Sequence, residues 1–290
     1  MLRFLVTREG SHTFQSYLKM ANESAPPLEV LCYEDLEPDL LHEPGTYVFS
    51  DLERLTPDLR GTAGSFRDRL DDDPKSRCLN DPRRWVDRAA LHDVLWNEGV
   101  NDFASYPASP SVRPTRYPVF LRHRWNHDGP IGRLLRNRLA FRVAVLRRTV
   151  DPRTDMKDIV VTEFCETADA SGIYRKFGAF RVGGAIIPRH VFFSRNWMVK
   201  GANLLDPHLL AEESSYLQEN PHEELLRGLF DRANVDWGRI DYSFRGDRIQ
   251  VWEINTNPMI VPEGDWGPRS GAQRYFLDLL HEQLGRLVLE

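Results

Sequence analysis

Val251-Trp-Glu-Ile-Asn-Thr-Asn-Pro258, taken with Arg239-Ile-Asp-Tyr242 just ahead of it, decides how this chain is read. Successive side chains on a strand point to opposite faces, so Glu253 and Asn255 share one side. With Asp241 they make a compact set of hard oxygen donors. Such donors suit Mg²⁺, which takes one or two protein carboxylates and fills its shell with phosphate oxygens and water. The pattern predicts a magnesium–nucleotide site on a β-hairpin.

Register tests this reading. A strict two-residue turn at Gly246-Asp247 would set Asp241 opposite Trp252 and send Glu253 to the other face, because a one-residue slip flips every side chain. A shared site therefore requires an odd loop or a bulge. The expected arrangement has Asp241 opposite Val251 and diagonal to Glu253, with Ile240, Tyr242, Phe244, Trp252 and Ile254 on the packing face.

The rest of the chain bounds the answer. Its 290 residues suffice for two or three lobes. Composition is 41% hydrophobic and 28% charged, ordinary for a globular protein. No apolar run approaches the roughly 20 residues that span a bilayer, and Met1–Glu9 reaches charge too early for a secretory signal. Cys32, Cys78 and Cys165 have no zinc, redox or disulfide spacing, which fits a reducing cytoplasm. A net charge of −5 argues against generic nucleic-acid binding.

Short strands are expected at Leu2–Thr7, Leu28–Tyr33 and Thr46–Phe49, with a helix near Ser11–Asn22, giving a small α/β lobe. Gly61–Lys75 reads as a connection. Asn80 or Asp81 is expected to cap a helix that shows Trp85, Ala89, His92 and Trp96 on its apolar face and ends at Gly99. Tyr117–Arg122 reads as a strand, Gly129–Gly132 as a turn, and Arg133–Arg148 as a solvated basic helix face over Leu134, Leu135, Leu139 and Val143. Strands follow at Ile159–Phe164, Tyr174–Val182, Ala185–Ile187 and Val191–Phe193, with Gly183-Gly184 as a hairpin turn. Helices are expected at Pro207–Asn220, His222–Ala233 and Gly271–Leu289.

Arg239-Ile-Asp-Tyr and Glu253-Ile-Asn-Thr-Asn-Pro258 resemble the metal-binding end of ATP-grasp enzymes, especially the D-alanine:D-alanine ligase type. Other segments follow in the same order. Tyr117–Arg122 is similar to the strand that carries a nucleotide-binding Lys, Val160–Phe164 to the hinge that meets adenine, and Tyr174–Gly184 to the strand and turn with phosphate-facing basic residues. Arg122 stands where the family has Lys, His123–Pro130 lacks a small Gly/Ser-rich lid, and Met259 replaces a common Gly.

The resemblance implies an α/β (α+β) ATP-grasp fold: a pre-ATP-grasp lobe over 1–78, a first subdomain over 79–158 and a second over 159–290. It implies ATP and Mg²⁺ as cofactors, with Asp241, Glu253 and Asn255 holding metal. Arg122 and Lys176 would contact phosphates, Glu163 the adenine or ribose, and Arg239 the acylphosphate side, with Asn257 a further polar contact. The implied reaction joins a carboxylate to an amine, with a small-molecule kinase or a catalytically weak nucleotide-binding protein as alternatives. Expected partners are small-molecule or peptide substrates, not nucleic acid or a membrane, and a homodimer is compatible with the sequence.

Overall fold

A computed structural model describes residues 1–21, 25–37, 43–125, 129–201 and 204–289. The described residues form three four-stranded sheets. The first is parallel, in the order β2-β1-β3-β4, and uses β1 (Leu2–Val6), β2 (Leu28–Cys32), β3 (Thr46–Phe49) and β4 (Arg77–Leu79). Helices α1 (His12–Met20) and α2 (Pro57–Asp71) connect them. Strand order reverses between β1 and β3, so their carboxyl ends form the crevice where open α/β sheets place ligands.

Gly61–Lys75, expected as a connection, is mostly the body of α2. Thr56 caps the helix by accepting from the Leu59 N–H at 3.3 Å, and Pro57 takes the first turn. Ala63, Phe66 and Leu70 are its buried stripe, so packing overrides the two internal glycines.

Next come α3 (Arg88–Asn97), β5 (Ser105–Pro107), β6 (Val119–His123), β7 (Pro130–Leu135), α4 (Arg138–Thr149) and β8 (Ile159–Glu163). These four strands pair antiparallel in the order β5-β8-β6-β7. The middle sheet thus runs to Glu163, beyond the division expected at residue 158. Asp87, not Asn80 or Asp81, caps α3, accepting from the N–H groups of Ala89 and Ala90 at 2.8 and 3.2 Å. Asn80 instead has φ +61° and is a latch between lobes. Its amide donates to the Phe49 and Trp237 carbonyls, and its Oδ1 accepts from the Asp236 and Trp237 N–H groups. The buried face of α3 is Arg88, Leu91, His92 and Leu95, while Trp96 is exposed. The expected turn at Gly129–Gly132 mostly belongs to β7, so the helix after it begins only at Arg138, capped by Asn137. His127 and Asp128, which by residue type suggest metal ligands but by spacing read as loop polarity, lie outside the described residues.

The last sheet has the order β10-β9-β11-β12, built from β9 (Tyr174–Val182), β10 (Ala185–Ser194), β11 (Trp237–Arg245) and β12 (Arg248–Asn255). Helices α5 (Pro207–Glu219), α6 (Glu223–Ala233) and α7 (Ser270–Leu289) complete it. The two segments expected at Ala185–Ile187 and Val191–Phe193 are one strand with a bulge between Pro188 and His190. Two hydrophobic cores unite the first lobe with this last sheet. The middle subdomain keeps its own core, where Phe141 and Val145 of α4 meet Val119, Leu121, Ile159 and Val161.

Candidate active site

The β11–β12 hairpin turns through Gly246-Asp247, with Arg245 paired to Arg248, and would follow the strict register up to Tyr242 opposite Val251. There a bulge inserts Trp252, and Asp241 lands directly opposite Glu253. The bulge that a shared site requires is present; the expected partner, Val251, is not the one found. Ile240, Tyr242, Phe244 and Ile254 do pack on the core. Trp252 does not join them. It stacks on Phe103 at 5.1 Å and donates to Ser243 Oγ at 2.8 Å, on the cleft side. His92 holds the bulge from behind: its Nε2 lies 2.8 Å from the Trp252 carbonyl and therefore carries the proton, leaving Nδ1 to accept from Ser105. Burial pushes the His92 pKa down to about 3, so the ring is neutral.

Asp241 and Glu253 line a cleft between the middle and last sheets, shared with Phe120 and Arg122 of β6, Lys176 of β9 and the Trp197–Lys200 segment after β10. Like charges directly opposite on paired strands repel, and each carboxylate here meets two cations among the described residues. Asp241 accepts from Arg239 Nε at 2.7 Å and Lys176 Nζ at 3.0 Å. Burial alone would raise the Asp241 pKa; Arg239 and Lys176 outweigh it and hold the carboxyl below its ordinary value, against the push of Glu253. Glu253 Oε2 accepts from Arg88 Nη2 and, at 3.1 Å, from Arg122 Nη2. Burial, reinforced by Arg88, lowers the Arg122 pKa to about 10, which leaves it charged at neutral pH. Arg88 also donates to the His123 and Arg124 carbonyls at 3.2 and 3.4 Å, so it ties α3 and β6 to β12.

Asn255 shares the face of Glu253, but its Oδ1 caps the Asn257 N–H at 2.8 Å and it is not on the cleft wall. Asn257 donates to the Gly10 carbonyl, while Thr256 binds Glu53 through both its N–H and hydroxyl. The turn after the hairpin thereby docks on the carboxyl ends of β1 and β3. A Cβ at Gly10 would collide with Asp51 and Asn257, so only glycine fits this approach.

Glu163 does not join the site. It is fully buried and accepts from Tyr106, from the Thr115 N–H and hydroxyl, and from the Arg116 and Ala104 N–H groups, with Arg116 Nε at 3.2 Å. A carboxylate offers about four lone-pair sites, so these donors leave none for a nucleotide. Glu163 anchors the 104–116 segment, and its successors Phe164 and Cys165 form the wall.

The cross-strand row continues from Glu253 and Asp241 through Gly178 to His190. Gly178 leaves a gap that the His190 ring fills. His190 stacks on Phe192 at 3.8 Å, and its buried Nε2 has no hydrogen-bond partner among the described residues. Burial, with Arg239, Arg189 and Lys176 around it, keeps this imidazole neutral. Arg189, the extra residue of the β10 bulge, donates to the Ile260 carbonyl at 2.9 Å and makes no ion pair with a described residue. Burial, then Arg269 and Arg239, lower its pKa to about 9. Around this face the basic side chains Arg88, Arg122, Lys176, Arg189, Arg239 and Arg269 outnumber the carboxylates Asp241, Glu253 and Glu213. A site so charged can hold a polyanion.

Arg88 escaped the sequence reading; His92 enters it only on the apolar face of a helix, and Arg189 and His190 as residues that could reach substrate or equally make a polar turn. Pro188 inside a strand pattern was the available signal for the bulge that aims Arg189. Nothing local marks Arg88, which acts across the fold. Asp241 and Glu253, opposed on the cleft wall, fit a hard divalent cation of the kind that completes its shell with phosphate oxygens. Among the described residues no three His, Cys, Asp or Glu cluster into a self-sufficient metal site.

No protein-family model matches the chain, and no curated protein matches it. Solved structures do. D-alanine–D-alanine ligase from Bacillus anthracis, complexed with ATP, aligns with a TM-score of 0.54 at 12% identity, over 100% of this chain and 95% of that one. A further structure of that ligase gives 0.55 at 13% identity, over 99% and 97%. The RimK domain ATP-grasp protein from Sphaerobacter thermophilus DSM 20745 gives 0.54 at 15% identity, over 100% of both chains. The chain has the ATP-grasp fold over its whole length, as the hairpin resemblance implies.

Proposed function

We propose that this chain is an ATP- and Mg²⁺-dependent ligase that activates a carboxylate as an acylphosphate for attack by an amine. The observation that carries the reading is the Asp241–Glu253 pair, brought face to face by a bulge inside a cleft that Arg122 and Lys176 also line. In this reaction a substrate carboxylate oxygen bonds to the γ-phosphorus and ADP leaves. The amine nitrogen then bonds to the acyl carbon, the carbon–oxygen bond to phosphate breaks, and the amine loses a proton. No covalent enzyme intermediate is needed, so the protein's task is positioning and charge stabilisation.

Arg122 and Lys176 would bind phosphoryl oxygens. Lys176 is released for this only as Asp241 takes another cation, and Arg122 only as Glu253 does. Asp241 and Glu253 would hold Mg²⁺, which supplies Lewis-acid charge neutralisation at the β- and γ-phosphates. Asn255 would reach it only by giving up the Asn257 N–H. Arg239, which also donates to the Met259 carbonyl at 3.4 Å, would serve the acylphosphate side. The hydrophobic walls Phe120, Phe164 and Trp197 exclude water and suit a purine base.

Substrates would be small molecules or peptides entering from the β1/β3 crevice. The three cysteines are unpaired, in keeping with a reducing cytoplasm. The test is ADP release with ATP, Mg²⁺ and pooled small carboxylates and amines, followed by mass analysis of the product. ADP release that depends on both a carboxylate and an amine supports ligation. Release that needs only a phosphoryl acceptor assigns a kinase, and no release by the folded protein refutes enzymatic turnover.

A further inference from the structure

The Arg-rich segment read in sequence as a solvated face over Leu134, Leu135, Leu139 and Val143 keeps its arginines in solvent, but Leu139 and Val143 are in solvent as well. α4 buries Phe141 and Val145 and turns Leu139, Val143 and Leu146 outward, with Val150 just past its end; the four are 73, 41, 56 and 71% exposed. These four fall at alternating steps of four and three residues, which is a single helical stripe. Isolated exposed aliphatics need no cause, but a contiguous row does.

Charge is segregated around the same row. Between Gly129 and Val150 the chain has Arg133, Arg136, Arg138, Arg142, Arg147 and Arg148, and no Asp, Glu or Lys, although its net charge is −5. All but Arg148 are exposed, and none makes an ion pair with a described residue. Arginines elsewhere on the surface are commonly paired, as Arg83 is with Asp68, Arg232 with Glu98 and Arg286 with Glu282. At 3.6 residues per turn, Arg142 and Arg147 flank the stripe on its two sides.

A second copy docked face to face would oppose guanidinium to guanidinium. Nucleic acid would use the arginines and leave the aliphatic row in water. A planar guanidinium fork matches phosphate, and an aliphatic row bordered by basic residues matches the headgroup–acyl boundary of a bilayer. We propose that α4 is a peripheral docking face for an anionic phospholipid surface. The contact would be superficial: no helix among the described residues is long and apolar enough to cross a membrane. It would also leave the cleft free, because α4 packs on the Val119 and Leu121 side of β6 while Phe120 and Arg122 face the cleft.

The experiment is vesicle flotation of the full chain, with phosphatidylcholine alone and with phosphatidylcholine mixed with phosphatidylglycerol. The wild type should float only with the mixed vesicles and be released by salt. Arg142→Gln and Arg147→Gln should each weaken partition about fivefold, the value of roughly 1 kcal/mol per basic residue near an anionic surface. Leu139→Ser/Leu146→Ser should weaken it more than tenfold, and all variants should melt as the wild type does. Partition equal for both vesicle types, absent from both, or unchanged in the double Leu variant overturns the proposal. So does retention on a single-stranded RNA column without any vesicle binding, which would assign the arginines to a polyanion.

Discussion

Replacing Glu253 by Gln separates the structural from the catalytic meaning of the opposed carboxylates. In the free protein Glu253 is the common acceptor of Arg88 and Arg122, with side-chain exposures of 14, 5 and 13%. A carboxamide keeps one acceptor oxygen and removes the charge. Breaking a buried pair from one side leaves an uncompensated cation and costs about 3–5 kcal/mol; the surviving acceptor argues for the low end. Against a total stability of about 5–15 kcal/mol this is a large loss. At roughly 2–4 °C per kcal/mol for a chain of this order of size, the melting temperature should fall by about 6–12 °C. Arg88→Met should cost a similar amount, since it takes an arginine from Glu253. The double variant Arg88→Met/Glu253→Gln should lose much less than the sum, with a coupling energy of about 2 kcal/mol or more. Calorimetry or urea titration of the four proteins measures the cycle. Strict additivity, or a Glu253→Gln melting temperature within error of wild type, would refute the reasoning. ADP release assayed well below the melting point then reports the separate loss of an anionic metal ligand.

Other consequences are open to measurement. Arg122→Lys should keep a cation for phosphate and for Glu253, so ATP affinity should drop less than in Arg122→Ala; equal losses would deny Arg122 a phosphate role. Glu163→Gln should lower stability by about 2–4 kcal/mol, as buried donors to a charged acceptor lose strength, while the KM for ATP in the surviving folded protein stays near wild type; a KM effect without a stability effect would restore the nucleotide-contact reading. His92, neutral when folded with a pKa of about 3, is protonated below about pH 6.5 once unfolded. The unfolded chain thus binds more protons in that window, so the His92 contribution to stability is present above pH 6.5 and lost as pH falls toward 3. His92→Gln should flatten urea stability against pH by up to about 1.4 kcal/mol per unit, and an unchanged slope would show that the histidine is not buried neutral. Arg189→Gln should leave ATP affinity intact and weaken the organic substrate; the reverse pattern would place Arg189 with the nucleotide.

Much of this fold was legible because its cues are local. Alternating apolar residues marked β9, β11 and β12, and the Arg239–Pro258 stretch marked the carboxylate pair. The need for a bulge could also be argued from turn length alone, since parity of the hairpin decides which face Glu253 takes. What could not be read was the partner of each polar side chain. Asn80 and Asp87 are equally good caps in sequence, and only the Trp237 and Phe49 backbones decide that Asn80 serves as a latch. Glu163 lies on its strand as expected, yet its donors come from a segment some fifty residues earlier in the chain. α2 was hidden because its glycines weaken the helical pattern that burial of Phe66 and Leu70 restores.

The edge of the last sheet has one more consequence. β12 is an outer strand, and its free backbone at Val251 is taken up by the Asn101 carboxamide, which both donates and accepts there, while His92 grips Trp252 and Gln250 accepts from the Asp102 N–H. The segment that leads into the middle subdomain is therefore sealed to the other sheet, whereas β5–β8 and α4 pack around a core of their own. If the cleft opens to admit a nucleotide, the pivot must lie after Phe103, with α3 staying behind. Arg88 and Arg122 would then stand on opposite sides of that pivot while sharing one carboxylate. Opening would stretch the Arg122–Glu253 pair and leave the Arg88–Glu253 pair in place, so the cation that Glu253 then takes would complete the release of Arg122 to a phosphate.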